Sequence, residues 1–301
     1  MPEIIEVKKY ADFINKSIKN QKLLDIKIIN GRYKTHKPFD NYRKLLNGLP
    51  LKINKINTKG KFMYIKVKDD LIIGITLGLT GGWFYLKNNS EKYKYPDYID
   101  NIELTYMNRY IKNALEHINV EFIFENGKLL FHDQLSFGTI KIFDNEKEFN
   151  KKLNLLGLDI MDSNTNIDNF ILAIKKKNNL NKEIGIILMN QKIISGIGNY
   201  LRADSLWYSK ISPFRKVKDL SNEDLQELFD SLRLLTWSIY NYKLGVKLKI
   251  IDPKDKIPTN LENDFLVYGK EFDINGQKII KEKLYEGSQI RYIYWVKNYQ
   301  K

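Results

Sequence analysis

The chain contains no cysteine, which removes disulfides, a catalytic thiol and every cysteine-based zinc site. Histidine is almost as scarce: His36, His117 and His132 are scattered along 301 residues and cannot build a zinc site by themselves. No apolar run reaches the roughly 18 residues needed to span a bilayer, and the N-terminus lacks the basic-then-apolar layout of a signal peptide. These absences lead us to expect a chain without metal or other cofactor, neither secreted nor in a membrane. Its expected compartment is the cytoplasm and nucleoid, or a nucleus if the source is eukaryotic or viral.

What is present points to a folded, basic protein. A chain of 301 residues is long enough for two domains with separate cores, and 43% hydrophobic with 13% aromatic residues is a globular composition. Lys and Arg number 50 against 36 Asp and Glu, and polyphosphate is the commonest partner for a net charge of +14. An abundance of Lys, Ile and Asn is also what an AT-rich genome produces, so charge alone does not separate nucleic-acid binding from compositional bias.

After Pro2, the residues Val7, Tyr10, Ala11, Ile14 and Ile18 recur at helical spacing, so residues 3 to 19 read as an amphipathic helix opening at a proline. From 22 to 148 the pattern predicts a mostly antiparallel β domain. Its strands are Leu51–Ile56, Phe62–Val67, Leu71–Thr76, Val120–Phe124, Leu129–His132 and Thr139–Phe143. Beyond Phe149 helices are predicted at 167–177, 181–194, 199–209 and 221–243, after a linker at 150–166. Gln277–Tyr285 and Gln289–Val296 flank Glu286-Gly287-Ser288 and read as a β-hairpin.

Four separated segments carry further information. The first is Met1-Pro2-Glu3-Ile4-Ile5-Glu6-Val7. The second combines Lys59-Gly60-Lys61-Phe62, Leu77-Gly78-Leu79-Thr80-Gly81 and Asp133-Gln134-Leu135-Ser136-Phe137-Gly138. The third is Met189-Asn190-Gln191-Lys192 with Gly196-Ile197-Gly198-Asn199-Tyr200-Leu201-Arg202-Ala203-Asp204. There Gly196 and Gly198 allow a tight turn near a phosphate, and Asn199 is expected to cap a helix whose N-terminal amides favour an anion. The fourth runs from Phe272-Asp273-Ile274-Asn275-Gly276 to Arg291, Tyr294, Trp295, Val296, Tyr299 and Gln300.

In this order the segments resemble the formamidopyrimidine-DNA glycosylase and endonuclease VIII family, with the GNYLR wording nearer the endonuclease VIII side. The first is similar to an MPE-x-x-EV opening, with Ile5 where a second proline is usual. The loops resemble LGMSG and DPRRFG, both arginines of the latter being absent here. The fourth follows the frame of the family's zinc finger without its ligands: Phe272, Asn275, Val296 and Tyr299 stand at the cysteine positions. The chain thus resembles the zincless-finger type, with Val296, Tyr299 and Phe272 expected to fill the vacated space by apolar packing.

The resemblance implies an α+β fold with an N-terminal β-sandwich at 1–149, the linker, a helix–two-turn–helix domain at 167–264 and the finger hairpin at 265–301. It implies catalytic roles for Pro2, Glu3, Lys61 and Arg291, with Glu6 in support. It implies DNA contacts from Gln191, Lys192, Gly198, Asn199 and Tyr268. Leu79, Leu135 and Phe137 would fill the hole left by an extruded base, with Phe137 as wedge.

Proline at position 2 suits the chemistry once Met1 is removed. Attack by a secondary amine on C1′ leads to a permanently charged iminium, and a terminal α-amine has a pKa near 7.7–8.0, so part of it is unprotonated at neutral pH. Glu3 stands beside it as acid and later base. Pro2 alone equally well starts a helix, and Glu6 equally well complements a helix dipole. Leu135 replaces an arginine that purine-specific members use on the orphaned cytosine, so oxidised pyrimidines are the expected substrates, in double-stranded DNA, by a monomer, with β,δ-elimination. The rival readings are a non-catalytic relative that grips damaged DNA, purine-type specificity, and a basic RNA-binding or ribosomal factor, which explains the charge but none of the segments.

Overall fold

A computed structural model describes residues 2–67, 71–96, 111–242, 265–286 and 289–301. Met1, residue 243 of the expected last helix and the hairpin turn at 287–288 lie outside them. The chain forms two compact units, Met1–Asn154 and Leu155–Lys301.

The first unit begins with helix α1 (Ile4–Ser17), whose Ile4, Val7, Ala11 and Ile14 are buried at the spacing the sequence predicts. Asn15 ties its far end down: the side-chain amide donates to the Ile56 carbonyl at 3.0 Å while its oxygen accepts the Ile56 N–H at 2.7 Å. In chain order follow β1 (Lys22–Ile28), helices α2 (Arg32–Thr35) and α3 (Tyr42–Asn47), then β2 (Leu51–Lys52), β3 (Ile56–Lys59), β4 (Phe62–Lys66) and β5 (Ile72–Thr76). The unit continues with β6 (Gly82–Lys87), β7 (Tyr93–Lys94), β8 (Ile118–Phe124), β9 (Gly127–His132), β10 (Thr139–Phe143) and helix α4 (Glu146–Asn154).

Two antiparallel sheets result, in orders β2-β1-β8-β9-β6-β7 and β10-β5-β4-β3. Leu23, Ile26 and Phe122 of the first sheet share one buried cluster with Ile65, Ile73 and Ile75 of the second and Ile14 of α1. This is the expected sandwich.

Two strands escape the period-two pattern. In β6, Trp83 and Tyr85 enter the main core while Phe84 enters a second cluster with Leu130 and Ala114, so both faces are apolar and no alternation remains. In β1 the exposed Leu24 breaks the alternation. The expected strand 51–56 divides into β2 and β3, which join different sheets.

The interval 150–166 is not an irregular linker throughout. Phe149 of α4 packs against Phe143 and Tyr64, which carries the helix onto the first unit as far as Asn154. Further on, β11 (Leu158–Asp159) pairs in parallel with β12 (Ile194–Ser195).

The second unit contains α5 (Ile167–Ile174), α6 (Ile184–Ile187), α7 (Asn199–Tyr208) and α8 (Asn222–Tyr242). The helix expected over 181–194 contracts to the single turn of α6. Its residues are buried on every side, and the Gly185 N–H bonds the Pro213 carbonyl at 3.0 Å instead of continuing a helix ladder. Leu225, Leu228, Leu232 and Leu235 line the buried side of α8. The hairpin forms as β13 (Ile280–Glu286) and β14 (Gln289–Trp295), closed at Glu286 and Gln289. Its Leu284 and Ile293 join Trp207 and Leu235 in one core. Among the described residues no helix is long and apolar enough to cross a membrane.

Ile73 of β5 is fully buried. An Ile73→Ala change is expected to lower unfolding free energy by about 2–5 kcal/mol, measurable by urea denaturation.

Candidate functional site

Glu3 is the N-cap of α1, extended at φ −104°, and it exchanges bonds with Glu6 in a capping box. Its carboxylate accepts the Glu6 backbone N–H, and Glu6 Oε2 accepts the Glu3 backbone N–H at 2.9 Å. Glu3 is 1% exposed, a depth at which a carboxylate is costly without partners. Pro2 directly precedes it and is half-buried. Glu6 therefore acts on the backbone at the cap, a local duty that the sequence left open.

Lys61 lies in the two-residue turn closed by Lys59 and Phe62 between β3 and β4. Gly60, at φ +56°, supplies the left-handed step that this turn requires. Helix α1 packs on both of these strands.

Leu79, Leu135 and Phe137 stand on two adjoining loops and are 40%, 47% and 58% exposed, so none is core packing. A polar link joins the loops. Thr80 Oγ1 donates to Asp133 Oδ1 and accepts the Leu135 N–H at 3.0 Å, and Asp133 Oδ2 accepts the Gly138 N–H at 2.6 Å. Gly78 permits the contact: at φ +63°, a Cβ there would sit 2.5 Å from the Gly138 nitrogen. Asp133 and Thr80 are structural supports of the two loops that the sequence did not single out. The only available signal was an acidic residue entering a loop directly after β9.

In the second unit the turn before α7 is closed by Gln191. Its amide nitrogen donates to the Met189 and Ile197 carbonyls at 3.1 and 2.9 Å, and its oxygen accepts the Gly196 N–H at 2.8 Å. Expected as a DNA contact, Gln191 is placed as the staple of the loop. Lys192 is exposed. Gly198, not Asn199, is the cap residue, and Asn199 is the first helical position. The glycine backbone at φ −128°, ψ −155° enters the helix without a side-chain cap, so the Asn199 amide is committed elsewhere. Its oxygen accepts from Arg202 Nη2 at 3.3 Å.

Arg202 is fully buried and spans three elements, donating also to the Gly185 carbonyl at 3.1 Å and, across to the hairpin, to the Tyr292 carbonyl at 2.7 Å. Tyr292 is the neighbour of Arg291, which lies half-buried opposite Leu284. Arg202 thus ties the Asn199 side chain to the Arg291 strand, a role the sequence reading missed. The sequence carries little signal for it, because its neighbours one turn away are the polar Asn199 and Ser205 with Leu206.

Asp204, on the same helix, is buried and accepts the N–H groups of Leu266, Val267 and Tyr268 at 3.0, 3.0 and 3.1 Å. Burial pushes its carboxyl up to about 6, against the lowering effect of those three bonds and of Lys270. The Tyr268 ring is half-buried between Phe265 and Tyr294.

The four side chains at the finger's cysteine positions do not fit a zinc ion, which takes thiolate, imidazole or carboxylate ligands. Among the described residues no group of three or more His, Cys, Asp or Glu is placed to hold a metal. Val296 is buried and the Tyr299 ring stacks on Trp207 at 5.2 Å, but Phe272 departs from expectation. It is 51% exposed beneath the Lys278 ammonium, 4.9 Å from the ring centroid, so it fills no interior space. The turn is organised by Asp273, whose Oδ1 accepts the Asn275 and Gln277 N–H groups at 2.9 and 2.8 Å while Oδ2 accepts Trp207 Nε1 at 3.1 Å. Gln300 closes the other end, accepting the Val296 N–H at 2.7 Å and donating to the Ile211 carbonyl at 2.9 Å.

Pro2, Glu3, Glu6, Lys61, Leu79, Leu135 and Phe137 belong to the first unit. Gln191, Lys192, Gly198, Asn199, Tyr268 and Arg291 belong to the second.

A sandwich opened by a capped helix, followed by a glycine-turned helix pair and a hairpin, makes an α+β protein. The model of the formamidopyrimidine-DNA glycosylase N-terminal domain matches residues 1–140, and that of the family's helix–two-turn–helix domain matches residues 156–248. The chain belongs to the formamidopyrimidine-DNA glycosylase and endonuclease VIII family.

Among its relatives are proteins named formamidopyrimidine-DNA glycosylase. That of Wolbachia pipientis subsp. Culex pipiens is 28% identical over 90% of this chain and 89% of its own length. That of Ureaplasma parvum serovar 3 is 26% identical over 81% and 83%. In fold the chain is similar to the Lactococcus lactis enzyme bound non-covalently to DNA containing an abasic site, with TM-score 0.73, 20% identity and 99% of both chains covered. A second structure of that enzyme, with DNA containing an oxidised pyrimidine, gives TM-score 0.73 and 21% identity over 99% of both chains.

Two outcomes follow from this geometry. Because the Asp204 carboxyl is raised from 3.8 to about 6, the folded state binds the extra proton between these values. Its contribution therefore falls as pH rises through that window. The wild type should lose stability relative to Asp204→Asn from pH 4 to 6, as read by denaturation at each pH. In the first unit, Thr80→Val leaves the Asp133 carboxylate and the Leu135 N–H without their shared partner. It should cost about 1–3 kcal/mol by the same measurement.

Proposed function

We propose that the protein is a bifunctional DNA glycosylase and abasic-site lyase of base-excision repair. It removes oxidised bases, pyrimidines before purines, from double-stranded DNA through a Schiff base at Pro2. The observation that carries this reading is a proline at position 2 directly preceding Glu3, whose carboxylate is buried and hydrogen-bonded.

In the proposed sequence the free Pro2 nitrogen bonds to C1′ as the glycosidic bond breaks and the base departs with a proton. Opening of the sugar ring leaves an iminium at C1′, while O4′ takes a proton from Glu3. Removal of a C2′ proton expels the 3′ phosphate, and a second elimination expels the 5′ phosphate. Lys61 and Arg291 bind the flanking phosphates and serve these proton transfers, and Asn199 holds the phosphate between them. Leu79, Leu135 and Phe137 fill the space vacated by the extruded base, which their exposure on loops held by Asp133 supports. The finger hairpin works without zinc, with Asp273 and Gln300 organising its ends.

Pyrimidine preference rests on Leu135, which offers no hydrogen bond to an orphaned cytosine. The names of the relatives favour a second reading, purine-type specificity. Incubation with borohydride and duplexes carrying an abasic site, thymine glycol or a formamidopyrimidine tests both. A trapped protein–DNA adduct on the first two, weaker on the third, is expected, and stronger trapping on the third selects the purine reading. Pro2→Gly should reduce trapping to background while salt-sensitive duplex binding persists, and Arg291→Ala should stall the product at β-elimination. Absence of any adduct from protein with a free Pro2 sinks the enzyme reading.

A further inference from the structure

The two faces of the β13–β14 hairpin differ. Leu284, Ile293 and Trp295 turn inward and are buried, and Glu282 on that side accepts Trp295 Nε1 at 2.9 Å. The register puts Lys281 opposite Tyr294, Lys283 opposite Tyr292 and Tyr285 opposite Ile290 on the other face. There Tyr285, Ile290 and Tyr292 are 62%, 52% and 47% exposed, an adjoining apolar set of a kind that seldom lacks a function.

This face continues a row of rings. Tyr200, one residue after Asn199, lies 4.9 Å from Phe265 between centroids. Phe265 lies 5.3 Å from Tyr268, and Tyr268 5.2 Å from Tyr294. The Lys281 ammonium then sits 5.6 Å from the Tyr294 ring and 5.0 Å from that of Tyr292. The row begins buried beside the Asn199 turn and ends exposed on the hairpin.

We propose that the outer face of the hairpin, Tyr285 and Tyr292 with Lys281 and Lys283, is a binding surface for single-stranded DNA. Exposed rings stack on bases whose faces are free, which duplex DNA does not offer along its length, and lysines between the rings meet the phosphates that accompany them. By the register the two acidic residues of the strands, Glu282 and Glu286, stand opposite Ile293 and Gln289 on the other face, so the charged residues of this face are lysines. That charge pattern fits a polyanion rather than an apolar protein surface. Arg291, opposite Leu284, stands on the other face of the hairpin, and binding at the outer face does not depend on excision activity.

The test titrates a fluorescent oligothymidylate of about 12 nucleotides, within the usual range of single-strand site sizes, and a lesion-free duplex. It compares wild type with Tyr285→Ala/Tyr292→Ala and Tyr285→Phe/Tyr292→Phe variants, thermal melting reporting that each is folded. Loss of two stacking rings should weaken single-strand binding at least about tenfold, lower the ratio of single-strand to duplex affinity, and be rescued by the Phe pair. The proposal is overturned if wild type does not bind oligothymidylate. It is overturned equally if the Ala pair binds as wild type does, or if both affinities fall by the same factor. It is also overturned if the Ala pair changes only self-association, which would make the face a protein contact. Borohydride trapping on a short abasic duplex tests the excision reading separately.

Discussion

Glu3 and Glu6 hold each other's backbone across the first turn of α1, and the proposed chemistry depends on that constraint. A chain end is ordinarily the loosest part of a domain. Here the residue after Pro2 is a buried cap bonded to Glu6 through both its side chain and its backbone. The helix behind it is anchored at its other end by the Asn15 bonds to Ile56 and along its length by the sandwich core. The proposed nucleophile, the Pro2 amine, directly precedes the cap in the chain.

The rest of the candidate site follows the same economy, with polar groups inside the fold fixing functional groups outside it. Asp133 and Thr80 bind two loops so that three large apolar side chains face water, an arrangement that opposes the hydrophobic effect and makes sense where a vacated base position must be filled. In the second unit Arg202 joins the Asn199 amide to the strand of Arg291, and Asp204 gathers three backbone N–H groups beside Tyr268. Asp273 and Gln300 organise the ends of the hairpin, each one residue from a position, Phe272 or Tyr299, that the resemblance matches to a metal ligand.

Much of this was legible in the sequence because the informative residues are local. The α1 periodicity, strands such as Thr139–Phe143 and the hairpin register require only neighbours in sequence, and the sandwich and family followed from ordered motifs. What was not legible depends on partners distant in sequence. β6 lacks alternation because clusters on both its faces are buried, and the run 181–194 yields one helical turn because tertiary burial there supplies other backbone partners. Asn199 looks like a cap until the glycine before it takes that place. Phe272 looks like a replacement for a metal ligand until Asp273 is seen to do that work from one residue away.

The proposed chemistry turns on a single atom, the nitrogen of Pro2. Reducing the intermediate with borohydride on abasic DNA, digesting the adduct and locating the sugar remnant by peptide mass spectrometry tests it directly. The remnant is expected on an N-terminal peptide that begins at Pro2, with Met1 gone. A remnant on the peptide containing Lys61, or on a chain that still carries Met1, would contradict it.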